Sequence, residues 1–255
     1  MIMKFYTLLT SLSLFLFATQ AQSQAIPIDK AILSGIGLKQ VKLKNDPERA
    51  FFQTNLYRGE DISVYMLSSQ SATTNFDPMP FDEFVLLVDG SSVIEPSSGE
   101  KKQFYKGDYI LAPKGYNGLW KVEAGNRYHL ELSVISNKRA TSIAENQDLT
   151  PFIIDPTDLS GLERKDEMQQ VLLDGVELNI TLNAEEAGER KISDNQEELV
   201  IHILSGKVDL KAEGQPLQTF YTGDFFILPK GFSGSWKSSA QDLFRCIYIK
   251  KAADL

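Results

Sequence analysis

"GDYILAPKGYNGLWK" occupies residues 107–121 and "GDFFILPKGFSGSWK" residues 223–237, so nearly the same fifteen residues occur twice, 116 positions apart (223 − 107). The residues kept are those that fix backbone geometry. Gly107 and Gly223, each followed by Asp, suit a tight turn in which glycine takes a positive φ without a Cβ penalty. Pro113-Lys114-Gly115 and Pro229-Lys230-Gly231 suit a type I turn with proline second and glycine fourth. Between the two turns lie five residues, the length of one strand. The segment reads as turn, strand, turn, and Trp120 and Trp236 then begin a further strand whose indoles fill a core.

The same offset holds outward from this segment. "LYRGEDISVYML" from Leu56 falls on "LLDGVELNITLN" from Leu172, with Gly59 on Gly175, and "FVLLVDGSSVIE" falls on "VIHILSGKVDLK", with Gly90 on Gly206. Short alternating or apolar runs, cut by Gly, Pro, Asn and Asp every ~8–12 residues, predict antiparallel β-structure. A period of 116 residues exceeds a solenoid unit of ~20–50, so each half is expected to be a domain with its own core.

The N-terminus, "MIMKFYTLLTSLSLFLFATQAQSQA", reads as a secretory signal peptide over residues 1–25: Lys4 leads an apolar run too short for a membrane span, and Ala21, Ser23 and Ala25 offer cleavage sites. The expected products are a barrel at 29–138, a polar linker at 139–148 and a second barrel at 149–252. A periplasmic or secreted location follows, with no membrane attachment after cleavage. Cys246 is the sole cysteine, which excludes an intrachain disulfide. The net charge is −8, with lysines and arginines scattered rather than striped, which argues against nucleic acid as a partner.

The doubled G-D-x4-P-K-G-x2-G-x-W pattern resembles the cupin superfamily, and more narrowly the ureidoglycine aminohydrolase-type (DUF861-like) group. The resemblance covers nearly all of the chain beyond the leader and implies an all-β fold of two jelly-roll barrels in tandem, a bicupin. It also implies a metal held by two histidines and a glutamate from one motif and a histidine from the next. Glu83, seven residues before Gly90, fits the glutamate; where the histidines belong there are Asp77, Met79 and Gly118. In the second half Leu199 takes the glutamate position, with Glu198 one residue off, and Gly234 replaces the last histidine. No metal is therefore expected, although Mn, Ni, Zn or Fe on an unusual carboxylate set with Asp77 and Glu83 stays open.

Two histidines occur in the chain. His202 alternates away from the second barrel's interior and is expected at the domain interface or the surface. In "RYHLELSV" one face carries Arg127, His129, Glu131 and Ser133. Two readings stay open: the ordinary one, a polar face turned to solvent, and a functional one, in which Arg127, His129 and Glu131 line the first barrel with Glu83. At the 116-residue offset the second half places Leu243, Arg245 and Ile247 there, so the first barrel is the better place for a polar pocket. Lys114 and Lys230 read as exposed turn lysines.

The candidate ligand-binding residues are Glu83, Tyr105, Trp120, Arg127, His129 and Glu131, with Glu198→Gln expected to do little. The leading reading is a small-molecule binding or accessory bicupin without a complete metal site. The alternative is a bicupin enzyme on a small polar metabolite, either ureide aminohydrolase-like with an atypical metal site, or a metal-free isomerase, epimerase or lyase using His129 with Glu131 or Tyr105. A third class is structural, since the resemblance implies homodimers through sheet edges.

Overall fold

A computed structural model describes residues 24–44, 46–97, 99–125, 128–143, 148–160 and 166–253. The first half runs β1 (Ile26–Pro27), α1 (Lys30–Leu33), β2 (Lys39–Gln40), β3 (Phe51–Arg58), β4 (Ile62–Ser69), β5 (Ala72–Phe76), β6 (Glu83–Asp89), β7 (Ser91–Pro96), β8 (Lys102–Tyr105), β9 (Tyr109–Ala112), β10 (Gly118–Glu123) and β11 (His129–Ser136). The second runs β12 (Phe152–Ile153), α2 (Pro156–Ser160), β13 (Met168–Asp174), β14 (Leu178–Glu186), β15 (Glu189–Ile192), β16 (Leu199–Ser205), β17 (Lys207–Ala212), β18 (Gln218–Tyr221), β19 (Phe225–Leu228), β20 (Gly234–Ser239) and β21 (Leu243–Lys251).

Each half is a jelly-roll barrel of one large and one four-stranded antiparallel sheet, ordered β5-β10-β7-β8 and β15-β20-β17-β18 in the small sheets. The registers repeat at the predicted offset. Trp120 pairs with Ile94 and Trp236 with Leu210; Val85 pairs with Ile110 and Ile201 with Phe226. The Gly-Asp turns behave alike: φ is 95° at Gly107 and 86° at Gly223, and Asp108 and Asp224 each accept a 2.7 Å hydrogen bond from the backbone N–H three residues back.

The leading segment of each half departs from the expected spans. β1 pairs with β19 of the other half, and β12 pairs with β9 of the first, so the large sheets read β12-β9-β6-β11-β4-β3-β2 and β1-β19-β16-β21-β14-β13. The exchange covers sheet edges that would otherwise lie open. The arms are themselves repeats: Asp29 and Asp155, 126 positions apart (155 − 29), each accept a 2.8 Å bond from the backbone N–H two residues on, at the start of α1 and α2.

The two large sheets face each other. Val64, Met66, Leu132 and Val134 of the first half pack with Ile180, Leu182, Ile247 and Ile249 of the second in one apolar cluster, while separate clusters fill each barrel. Paired polar clamps flank this shared core. Glu198 accepts from the N–H groups of Glu60, Asp61 and Ile62 at 2.8, 3.0 and 3.1 Å. Its counterpart Asp82 accepts from Lys114, Glu177 and Leu178 at 2.7, 2.6 and 3.0 Å. Glycine is required beside each clamp, because a Cβ at Gly59 would lie 2.3 Å from the Glu198 carboxylate and one at Gly175 2.2 Å from that of Asp82.

The repeated lysines complete the clamps, which corrects their reading as exposed turn residues. Lys114 bonds Glu177 at 2.9 Å with only 13% of its side chain exposed, and Lys230 bonds Asp61 at 2.7 Å. A buried carboxylate needs a partner charge and donors, and the neighbouring half supplies both.

Candidate ligand cavity in the first barrel

Because Leu130, Leu132 and Val134 of β11 pack toward the other half, period-two alternation sends His129, Glu131 and Ser133 into the first barrel. The solvated-face reading is thereby overturned: the apolar face is covered by a second domain. Glu83 enters from β6, and its side chain, those of His129 and Glu131, and the Trp120 indole line one cavity of about 260 Å³.

His129 is buried, and its Nε2 lies 2.7 Å from Glu131 Oε2. Ser133 Oγ donates to Glu83 Oε1. Burial, and next the nearby Glu131 carboxylate, push the Glu83 carboxyl up to about 8, so it is largely a neutral acid at neutral pH; the Ser133 bond and Arg139 oppose the shift. The cavity thus holds a carboxylic acid beside an imidazole–carboxylate pair, groups able to hold, give or take a proton.

The remaining candidates fall out differently. Trp120 packs edge-on to Phe76, with ring centroids 6.3 Å apart, serving at once as core and as cavity wall. Tyr105 does not belong to the site: Phe104 takes the inward place on β8, leaving Tyr105 59% exposed. Arg127 lies outside the described residues. His202 is buried in the interface between the halves, stacked 3.8 Å from Phe225. Its Nδ1 lies 3.3 Å from the Asp224 carbonyl, which can only accept, so Nε2 accepts the 2.7 Å bond from the Tyr109 hydroxyl. Burial lowers this imidazole to about 4 and keeps it neutral.

Sequence reasoning missed Arg49, Ser69, Thr74 and the loop residue Leu43, all on the cavity wall. Arg49 Nη2 donates to Ser69 Oγ at 3.1 Å, and its guanidinium lies 5.9 Å from the Phe51 ring centre. A signal was present: the repeat offset is 126 at Ser34/Ser160 but 116 at Phe52/Met168, so the first half carries ten more residues in the stretch that holds Leu43 and Arg49.

The second barrel lacks this chemistry, with one correction to the alignment. Met66 pairs with Leu132, and its counterpart Leu182 pairs with Ile247, so the offset drops to 115 (247 − 132) after the tryptophan. The counterparts of His129, Glu131 and Ser133 are Phe244, Cys246 and Tyr248, not Arg245 and its neighbours. One residue fewer between β20 and β21 causes the slip. Phe244 and Trp236 meet edge to face, with Phe226 also packed against Trp236, and fill that interior.

The metal implied by the cupin resemblance does not fit the residues present. Asp77 is exposed, Met79 is buried in the apolar core, and Gly118 has no side chain. Among the described residues, no group of three or more His, Cys, Asp or Glu side chains is placed to hold a metal ion.

Comparison with known proteins agrees with this architecture. The family model for the EutQ-like cupin domain matches residues 60–129 and 174–248. A DUF861-family protein of unknown function from Pseudomonas syringae pv. tomato is 12% identical, with a TM-score of 0.59 over 90% of this chain and 100% of its own. Protein Ylba from E. coli, of the same family, is 14% identical with a TM-score of 0.54 over 86% and 89%. A salicylate 1,2-dioxygenase from Pseudaminobacter salicylatoxidans is 11% identical with a TM-score of 0.59 over 91% and 86%. At such identities the likeness is one of fold. No curated protein sequence matches the chain.

Proposed function

The chain belongs to the EutQ-like cupin family, and from that premise we propose that it is a small-molecule binding bicupin whose ligand sits in the first barrel, the second serving as a packed support. One observation carries this reading: Glu83, His129 and Glu131 converge on one cavity, whereas their counterparts Leu199, Phe244 and Cys246 build a filled interior. A thermal-shift screen against ureides, sugar acids and small carboxylates tests it. A ligand at ~100 times its dissociation constant stabilises by about 2.7 kcal/mol. A ligand whose shift survives both Glu83→Gln and His129→Ala binds elsewhere and defeats the proposal.

A second reading, metal-free acid–base catalysis on a small polar metabolite, is favoured by the His129–Glu131 pair beside the neutral Glu83 acid. Incubating a ligand found in the screen in deuterium oxide separates the two. Deuterium entering the ligand with wild type but not with His129→Ala supports catalysis; an unlabelled ligand supports binding alone.

We further propose export to the periplasm or medium with the leader removed before Gln24, after Ala21 or Ser23. Gln24 and Ala25 are built into the second half: Gln24 Nε2 donates to Gln215 Oε1 at 2.7 Å, and the Ala25 carbonyl accepts from Gln218 Nε2 at 2.9 Å. Cleavage after Ala25 would forfeit both. N-terminal sequencing of exported protein decides, and a mature chain starting at Ile26 refutes this placement.

A further inference from the structure

We infer that the ligand of the first-barrel cavity carries a primary ammonium group, held by the free carboxyl oxygens of Glu83 and Glu131 against aromatic walls. The inference rests on reading the cavity as a ligand site, and it names the class of molecule bound there.

The argument turns on which polar atoms of the cavity stay open. Each acid engages one oxygen within the protein: Glu131 Oε2 with His129 Nε2 at 2.7 Å, and Glu83 Oε1 with the Ser133 hydroxyl. Their second oxygens, Glu131 Oε1 and Glu83 Oε2, have no hydrogen-bond partner among the described residues, and both remain accessible on side chains that line the cavity. The unpartnered nitrogens nearby do not reach the same space. Arg49 Nε is sealed from the cavity while Nη2 is held by Ser69, and His129 Nδ1 lies toward the turn after β6, 3.1 Å from where a Cβ on Gly90 would sit. Open carboxyl oxygens call for donors, and in a desolvated site the donor that helps a carboxylate most also carries positive charge.

The surrounding groups suit a cation. Asp46 and Glu131 both face the Arg49 guanidinium, so its charge is already met on the wall. The charged and titratable groups facing Glu83 are Glu131 and His129 on β11 and Arg139 beyond it, with Arg49 on the same cavity wall. Because Glu83 is pushed up to about 8 by burial and by Glu131, it sits close to ionisation at neutral pH. An arriving ammonium supplies the missing counter-charge: Glu83 gives its proton to solvent, and two carboxylates then flank one cation. The rings of Phe51, Phe76 and Trp120 line the same space, cover the apolar part of a ligand and can attract a cation. The volume of about 260 Å³ equals roughly nine waters at ~30 Å³ each, enough for a molecule the size of benzylamine.

Benzylamine, benzyl alcohol and benzoate, one ring with three polar ends, test the inference when each is titrated calorimetrically into the exported chain at pH 7. The expected result is benzylamine binding at least about ten-fold more tightly than benzyl alcohol, with benzoate weakest. Repeated in buffers of different ionisation enthalpy, benzylamine binding should release close to one proton, and its affinity should rise about ten-fold from pH 6 to pH 7. Glu83→Gln should weaken benzylamine by about ten- to hundred-fold, abolish the proton release and leave benzyl alcohol little changed. Glu83→Asp, keeping an acid one methylene further back, should retain part of the affinity and of the proton release, and guards against misfolding of the Gln variant. Benzyl alcohol or benzoate binding best, in a manner lost in His129→Ala, overturns the ammonium assignment while the cavity remains a ligand site. Benzylamine binding that releases no proton, or that Glu83→Gln leaves unaltered, also overturns it. Absence of binding by all three probes at tens of millimolar, together with no hit in the wider ligand screen, removes both readings.

Discussion

Glu198→Gln keeps the size of the side chain and removes its charge, and it should loosen the two halves from one another. In the native protein Oε2 takes the N–H groups of Asp61 and Ile62 and Oε1 takes that of Glu60, all within 3.1 Å on a residue 5% exposed. The amide oxygen of glutamine can replace only one of these acceptors. If it stands at Oε2, the new NH2 faces the Glu60 N–H donor to donor, and the other two bonds lose their charge assistance. The loss of one bond and the weakening of two comes to about 2–4 kcal/mol. With a urea m-value of ~3 kcal/mol/M, the unfolding midpoint should fall by about 1 M, read by tryptophan fluorescence. Asp82→Asn should fall by a comparable amount, because it serves the same three-donor role at the other end of the interface. Midpoints of both variants within ~0.2 M of wild type would refute the clamp.

Further outcomes bear on the cavity, the interface and the turns. Glu83→Gln and His129→Ala should each weaken ligand binding by about 1.5–3 kcal/mol, while far-UV circular dichroism stays native. His202 is held near 4 against an ordinary 6.5, so the unfolded chain binds the extra proton between these values. Its contribution leaves stability intact above pH 6.5 and lowers it toward pH 4 by up to about 3 kcal/mol, a slope that His202→Leu should flatten in urea midpoints taken across that range. Glu83 acts with the opposite sign: raised from 4.5 to about 8, it contributes stability below pH 4.5 that is lost as pH rises through 8, and Glu83→Gln should abolish that loss. Gly107→Val meets no atom within 4 Å but forces a β-branched residue to φ 95°, so melting should show a cost of about 1–2 kcal/mol from backbone strain alone; an unchanged transition counts against the turn.

Much of the architecture was legible in the residues themselves. Turn chemistry is local, so the doubled Gly-Asp and Pro-Lys-Gly segments announced the strand between them and the duplication around them, and the registers of Trp120 and Trp236 repeat as that implies. Alternation along β11 likewise groups His129 with Glu131 from the sequence alone. What alternation cannot say is which face is inside. That depended on the other half of the chain lying against Leu132 and Val134, a contact between residues more than a hundred positions apart, and it sent the polar face into the barrel. The exchange of β1 and β12, the grip of Asp82 and Glu198 on the opposite half and the burial of Lys114 are tertiary in the same sense: each satisfies a backbone edge or a charge with a partner that local sequence does not specify. Arg49 stands between the two cases. The ten-residue surplus of the first half between Ser34 and Phe52 was countable in the sequence, but only folding set Leu43 and Arg49, from that stretch, on the cavity wall with Glu83 and Glu131.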